Sequence, residues 1–415
     1  MTTRRRTCGP WLAVLLLGAC TFGSGPDAAT SGPATPSPPS SGSNAATTAQ
    51  SPSPSGTAGR SSPVPAPGGP SPSATEPPSR LLHLTAAARI PLAGQTYGRG
   101  LVLWGRYAAW VGCNGCQRTF TEPTTLYVAD LTTRRVRAVA TAPTNSFVAP
   151  LGGAGTRLAY LVGRSGDRKL QWTITVLDLV TGATSSPAKA TQGIGVVPPL
   201  ATVGAGQLVL QTFGQGPQGA THGPVTAIDL GTGARRTLSR DLPGVLGAVS
   251  GPGLVYRAPS VAGATLDQGP TDAFLLRPGR RQAVVLSDTH DVRGIVADDS
   301  TAAWQSEDGP DAAVWAAPLD GQGPAREFYR GGTGDRAVGT GFLALVTAGE
   351  APVLLLYPLA GGPVAAVGDV PGEFDAVAAE GSRLAYIALP GDRGVQPDAK
   401  HPITLVVTTV GAPGG

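Results

Sequence analysis

GTRLAYLVGRSGDRKLQWTITVLDLVTGATSS (155–186) holds an apolar tetrad, RLAY, a second β-type run, LQWTITVLDL, and then the tight-turn sequence D-L-V-T-G. The tetrad recurs. YAAW begins at Tyr107, RLAY at Arg157, QLVL at Gln207, GLVY at Gly253, TAAW at Thr301, FLAL at Phe342 and RLAY again at Arg383. The steps are 50, 50, 46, 48, 41 and 41 residues, the spacing of four-stranded propeller blades. The third position is always small: Ala109, Ala159, Val209, Val255, Ala303, Ala344, Ala385. The fourth is always large: Trp110, Tyr160, Leu210, Tyr256, Trp304, Leu345, Tyr386. Successive strand residues face opposite sides of a sheet. Each sheet therefore offers a bulky face on one side and a shallow one on the other, and stacking in a ring satisfies both. A two-layer sandwich would want polar outer faces, and these strands have few.

Each tetrad is followed by two more β-type runs around a turn, as in LYVADLTTRRVRAVA (126–140), ITVLDLVTGATSS (174–186) and VTAIDLGTGARRTLS (225–239). Weaker versions are FLLRPGRRQAVVLS (274–287), VWAAPLDGQGPAREFY (314–329) and LLLYPLAGGPVAAVG (354–368). An apolar segment precedes each tetrad, such as FVAPL (147–151) or VRGIVADD (292–299). This predicts an all-β chain, a seven-bladed propeller of four-stranded antiparallel blades. The last unit, 374–379, 383–389 and 403–410, lacks a fourth strand, and ARIPLA (88–93) is expected to supply it, closing the ring and removing an open edge.

The chain begins differently. Arg4, Arg5 and Arg6 precede WLAVLLL (11–17), which is too short to span a bilayer. Leu17-Gly18-Ala19-Cys20 follows and resembles a bacterial lipoprotein processing site. The resemblance implies a signal peptide over 1–19 and acylation of Cys20 (palmitate-type chains), placing the protein on the extracytoplasmic face of a cell membrane. From Cys20 to residue 80 the sequence is almost wholly Ser, Pro, Thr, Ala and Gly. Such composition predicts a disordered low-complexity linker, since it buries too little apolar surface to offset its ordering entropy. The propeller is expected over 81–415.

The repeats resemble TolB-like propellers, and more loosely WD-repeat-like ones, across 86–410. GTRLAY (155–160) and GSRLAY (381–386), with D-L-x-T-G after the former, carry the likeness. The pieces Asp178, Thr181, Gly182 and Asp229, Thr232, Gly233 also resemble quinone-type propeller repeats, without the Trp that usually follows. The Ala-, Gly- and Arg-rich composition, with Lys only at 169, 189 and 400, is of actinobacterial type.

Little chemistry is legible. The formal charge of +4 falls to about +1 once Arg4, Arg5 and Arg6 leave with the signal, which removes the case for nucleic acid. His83, His222, His290 and His401 show no metal-ligand spacing, and no G-x-S-x-G or H-E-x-x-H occurs. No catalytic residue, metal or cofactor is therefore assigned. Cys113 and Cys116, as CNGC around a hairpin-like Asn-Gly, suit a disulfide in an oxidising compartment; a redox pair or a metal site are the alternatives. Long loops after the second strand share a face with the starts of the inner strands, where Tyr97, Arg99, Asn145, His290, Asp291, Arg293, Arg336, Glu373 and Asp375 are candidate ligand contacts. Two functions fit: a monomeric, noncatalytic binding or scaffold module for a protein, glycan or other envelope component, or a propeller lyase, hydrolase or quinone-dependent dehydrogenase with an axial site, for which His290 is the candidate.

Overall fold

Short runs of Val, Leu, Ala, Thr and aromatic residues, broken by Gly, Pro and Asp, favour strands over helices. The computed structural model describes residues 80–411 apart from 83, 93, 96, 114–122, 166–168, 194–198, 214–221, 261–269, 288–290, 307–311, 349–351, 370–376, 391–396 and 399. Among the described residues no helix is long and apolar enough to cross a membrane.

Two strands come first, β1 (Arg80–Leu82) and β2 (Ala86–Pro91). Blade one is β3 (Tyr97–Trp104), β4 (Tyr107–Cys113), β5 (Thr124–Asp130) and β6 (Arg135–Ala142). Blade two is β7 (Ser146–Ala154), β8 (Arg157–Ser165), β9 (Lys169–Asp178) and β10 (Thr184–Gly193). Blade three is β11 (Leu200–Gly204), β12 (Gln207–Gln211), β13 (Gly223–Asp229) and β14 (Arg235–Leu242). Blade four is β15 (Val245–Ser250), β16 (Gly253–Pro259), β17 (Thr271–Leu276) and β18 (Val284–Val285). Blade five is β19 (Val292–Ala297), β20 (Thr301–Ser306), β21 (Ala313–Pro318) and β22 (Arg326–Arg330). Blade six is β23 (Thr333–Gly339), β24 (Phe342–Thr347), β25 (Leu354–Pro358) and β26 (Ala365–Val367). Blade seven is β27 (Val377–Glu380), β28 (Arg383–Ala388) and β29 (Thr404–Thr409), with β2 as its fourth strand.

Strands within each blade pair antiparallel in chain order. Each inner strand lies against the next, from β3 through β7, β11, β15, β19 and β23 to β27, which meets β3 again. β2 runs antiparallel to β29, with Arg89 opposite Val406 and Ile90 opposite Leu405. β1, which the sequence reading did not anticipate, lies parallel to β26 and adds a fifth strand to blade six.

The two tetrad columns explain the packing. At all seven blade boundaries the small third residue of one blade shares a buried cluster with the large fourth residue of the next. The pairs are Ala109 with Tyr160, Ala159 with Leu210, Val209 with Tyr256, Val255 with Trp304, Ala303 with Leu345, Ala344 with Tyr386 and Ala385 with Trp110. Trp110 and Trp304 have no exposed surface. Burying such rings, each worth about 1.5–3 kcal/mol, stabilises neighbouring blades together. The buried Trp110 indole donates to Gln95 Oε1 at 2.8 Å.

Inner strands converge closely enough to demand glycine. A Cβ on Gly247 would stand 2.6 Å from Ile295 Cβ in the next blade.

The D-x-x-T-G pieces are turn devices. Asp178 Oδ1 accepts from the N–H groups of Val180 (2.9 Å) and Thr181 (3.0 Å), and Gly182 takes the positive φ (74°) that closes the turn. Those donors, Thr181 first, hold the Asp178 carboxyl down to about 2. The Leu after each such Asp, or its equivalent, offers its carbonyl to an arginine of the preceding blade: Arg137 to Leu179, Arg157 to Leu230, Arg277 to Leu319 and Arg326 to Leu359.

Candidate functional site

The inner strands of blades five and six carry polar residues near their starts, VRG at 292–294 and GDR at 334–336. Arg336 is buried, with 7% exposure, and its guanidinium crosses into blade five. Nε donates to the Gly294 carbonyl at 3.1 Å and Nη2 to the Arg293 carbonyl at 3.2 Å. Nη1 donates to Gln305 Oε1 at 3.3 Å, and Thr333 Oγ1 donates to the same oxygen at 2.6 Å. Asp335 works in the other direction: Oδ2 accepts from the Val377 N–H of blade seven at 3.0 Å, and Oδ1 from the Arg336 N–H at 2.8 Å. Burial pushes the Asp335 carboxyl up to about 6, against the pull of the Val377 and Arg336 amides and the Arg336 charge. One dipeptide thus ties three inner strands together.

Related links occur elsewhere, from the residue that follows the tetrad's large position. Gln211 Nε2 donates to the Gly244 carbonyl at 2.7 Å, while Leu246 N–H donates to Gln211 Oε1 at 2.8 Å. Arg257 Nη1 reaches the Val292 carbonyl at 3.5 Å. Buried polar groups need such partners, and here the partners lie in the adjoining blade.

The structure brings Asp291, Arg293 and Arg336 into one neighbourhood, with Arg293 Nε 3.3 Å from Asp291 Oδ1. Tyr97 and Arg99 lie on β3, their backbones opposite Cys113 and Val111. Asn145 is exposed, in the turn between blades one and two, where it adopts φ 61°, a conformation Asn tolerates. Its carbonyl accepts from Ser165 N–H at 3.0 Å. His290, Glu373 and Asp375 lie outside the described residues, as do Cys20 and Cys116. Cys113 is buried at the end of β4. Asp335, Gln305 and Thr333 were missed from sequence; the Asp-Arg dipeptide opening an apolar strand was the available signal for the first. Among the described residues no group of three His, Cys, Asp or Glu side chains could hold a metal ion.

A second feature lies between the outer halves of blades two and three. A furrow of about 580 Å³ has Trp172, Leu210 and Ile228 as its buried floor and Ser186, Lys189 and Arg235 on its exposed rim. Its cause is a shortage of side-chain volume. The large position of this boundary is Leu210 where five others have Trp or Tyr, and β10 opposes it with Ala188 and Ala190. The boundary between blades five and six also has a leucine, Leu345, but Phe328 and Tyr357 pack edge to face there with centroids 6.1 Å apart. β10 is also irregular, its register shifting between Ser185 and Ala188 around Pro187.

No protein-family model matches the chain, and no curated protein is similar to it in sequence. Solved structures are. The β-propeller domain of the Trilobed protease from Pyrococcus furiosus, described as having an open velcro topology, matches with a TM-score of 0.50 and 12% identity, covering 75% of this chain and 95% of that one. Uncomplexed Pyrococcus horikoshii acylaminoacyl peptidase matches with a TM-score of 0.50 and 12% identity, over 75% of this chain and 52% of that one. An acylaminoacyl peptidase bound to Z-Gly-Gly-Phe-chloromethyl ketone gives 0.51 and 12%, over 76% and 51%. The likeness is one of fold. The chain spans about half the length of these peptidases, and a fold alone assigns no activity.

Proposed function

We propose that this chain is an extracytoplasmic lipoprotein, anchored through Cys20, whose propeller is a noncatalytic binding or scaffold module for a protein or other envelope component. The observation that carries the reading is the bracing of the inner strands. Arg336 and Asp335, near the start of β23, are engaged with the main chain of blades five and seven. That braces three inner strands as a frame, suited to presenting loops and blade boundaries to a partner. The Leu17–Cys20 motif and the Pro- and Ser-rich stretch after it support an anchored module held away from the membrane.

Fractionation and crosslinking of the full chain in intact cells test the proposal. Wild-type protein is expected in the membrane fraction, carrying acyl label, and crosslinked to a defined envelope component. Cys20→Ser is expected to lose the label and the membrane association. An unlabelled Cys20 would overturn the anchoring, and the absence of any specific crosslink would overturn the binding role.

A further inference from the structure

We infer that the furrow between blades two and three is a binding site for an acidic, extended peptide segment carrying an apolar side chain. The inference rests on the binding-module reading and names its site and ligand class. Three observations carry it.

The floor is apolar and one-sided. Trp172 is 4% exposed and its indole N–H has no acceptor among the described residues. Ala188 and Ala190 leave the space above the floor unfilled. A single leucine- or phenylalanine-sized side chain would supply the missing volume and the dispersion contacts that a void forfeits.

The rim is cationic. Lys189 and Arg235 line the furrow and none of its lining residues is acidic. Lys189 is one of only three lysines in the chain. Arg235 is held in place by donating to the Pro187 carbonyl, which pre-positions its charge without ordering on binding. Carboxylates flanking the apolar anchor would meet both cations.

The edge accepts extended chain. β10 is the outer strand of its blade, and the same protein seats an extended segment on the outer strand of another blade, where β1 lies along β26. An extended peptide is thus the occupant whose shape the ring already accommodates.

The test uses the full-length protein in detergent, with acetyl-Glu-Glu-Leu-Phe-Glu-Glu-amide as probe and the Lys-for-Glu version of the same peptide as control, read by calorimetry. The acidic peptide is expected to bind and the basic one not to. Lys189→Glu, an exposed change that leaves the core intact, and Ala190→Phe, which fills the furrow, are each expected to weaken the acidic peptide by about tenfold or more. Equal binding of both peptides would overturn the proposal, as would unchanged affinity in Lys189→Glu. Binding of inorganic polyphosphate but not of the acidic peptide, with the same loss in Lys189→Glu, would overturn the peptide in favour of a polyanion. If the acidic peptide fails while wild-type protein still crosslinks its envelope component, the furrow is the wrong site and the binding module stands. If both fail, both readings fall.

Discussion

Arg336 Nε lies 3.1 Å from the carbonyl oxygen of Gly294 and donates to it across the boundary between blades five and six. Removing the side chain strands that carbonyl and the Arg293 carbonyl, and leaves the Gln305 amide oxygen with Thr333 Oγ1 as its donor. Arg336→Ala is expected to lower stability by about 3 kcal/mol. Arg336→Lys recovers only part of this, because an ammonium cannot reproduce the planar fork. Urea denaturation of the three proteins checks both statements; a loss below about 1 kcal/mol for Arg336→Ala would show the contacts to be incidental.

Asp335 gives a pH signature of unusual sign. Its carboxyl is pushed up to about 6, chiefly by burial, whereas in the unfolded chain it titrates near the ordinary value of about 3.9. Between these limits the folded state holds more protons, so this group makes stability fall as pH rises from about 4 to 6, with no further change above. Two pKa units at about 1.4 kcal/mol each make the contribution about 3 kcal/mol. Asp335→Asn is expected to flatten that part of the stability profile, measured as urea midpoints between pH 4 and 7. A parallel profile for the two proteins would remove Asp335 as its source.

Gly153 marks a place where blade two has no room for a side chain. A Cβ there would stand 2.2 Å from Trp104 Cε2 and 2.6 Å from the Arg157 carbonyl oxygen. Gly153→Ala is expected to cost about 1–3 kcal/mol and to shift the fluorescence of Trp104, whose ring must move. Wild-type melting and emission in the variant would contradict the close packing.

Asp369 gathers the N-terminal strand to the body of the ring. Its Oδ2 accepts from Tyr386 Oη at 2.5 Å and from Arg89 Nη2 on β2 at 2.8 Å. Tyr386 is buried, and burial raises its hydroxyl pKa well above the usual range, so it acts as a donor at all ordinary pH. Tyr386→Phe is expected to lose about 1 kcal/mol, and Arg89→Ala less, since half of that side chain is exposed. A double-mutant cycle in chemical denaturation measures the coupling, and zero coupling would separate the two contacts.

The CNGC pair gives a chemical test. A bridge between Cys113 and Cys116, the expectation from sequence, would leave neither thiol alkylated by iodoacetamide in peptide mapping of unreduced protein. Full alkylation of both without reductant would exclude the bridge.

The fold was legible because its rule is local. A small residue beside a large one in each tetrad states how neighbouring blades interlock, and pairs such as Ala303 and Leu345 meet as that rule requires. β1 was not legible: three residues with no turn after them carry no periodicity, and their pairing depends on β26, nearly three hundred residues away. The candidate contacts were harder still. Arg336 reads as an exposed strand-start cation, but its partners are carbonyl groups of another blade, and main-chain acceptors leave no mark in a sequence. The furrow beside Trp172 was invisible for a similar reason, since it reflects volume missing between Leu210, Ala188 and Ala190 rather than any residue present.

The placement of β1 governs how the ring answers a pull from its N-terminal side. Tension arriving at Arg80 meets a three-residue ladder on the rim of blade six before it reaches the longer β2–β29 ladder. The short ladder acts as a mechanical fuse ahead of the seam, releasing slack while the toroid stays whole. Force spectroscopy from that end is expected to record a small first rupture and a larger second one, and a single rupture would refute the fuse.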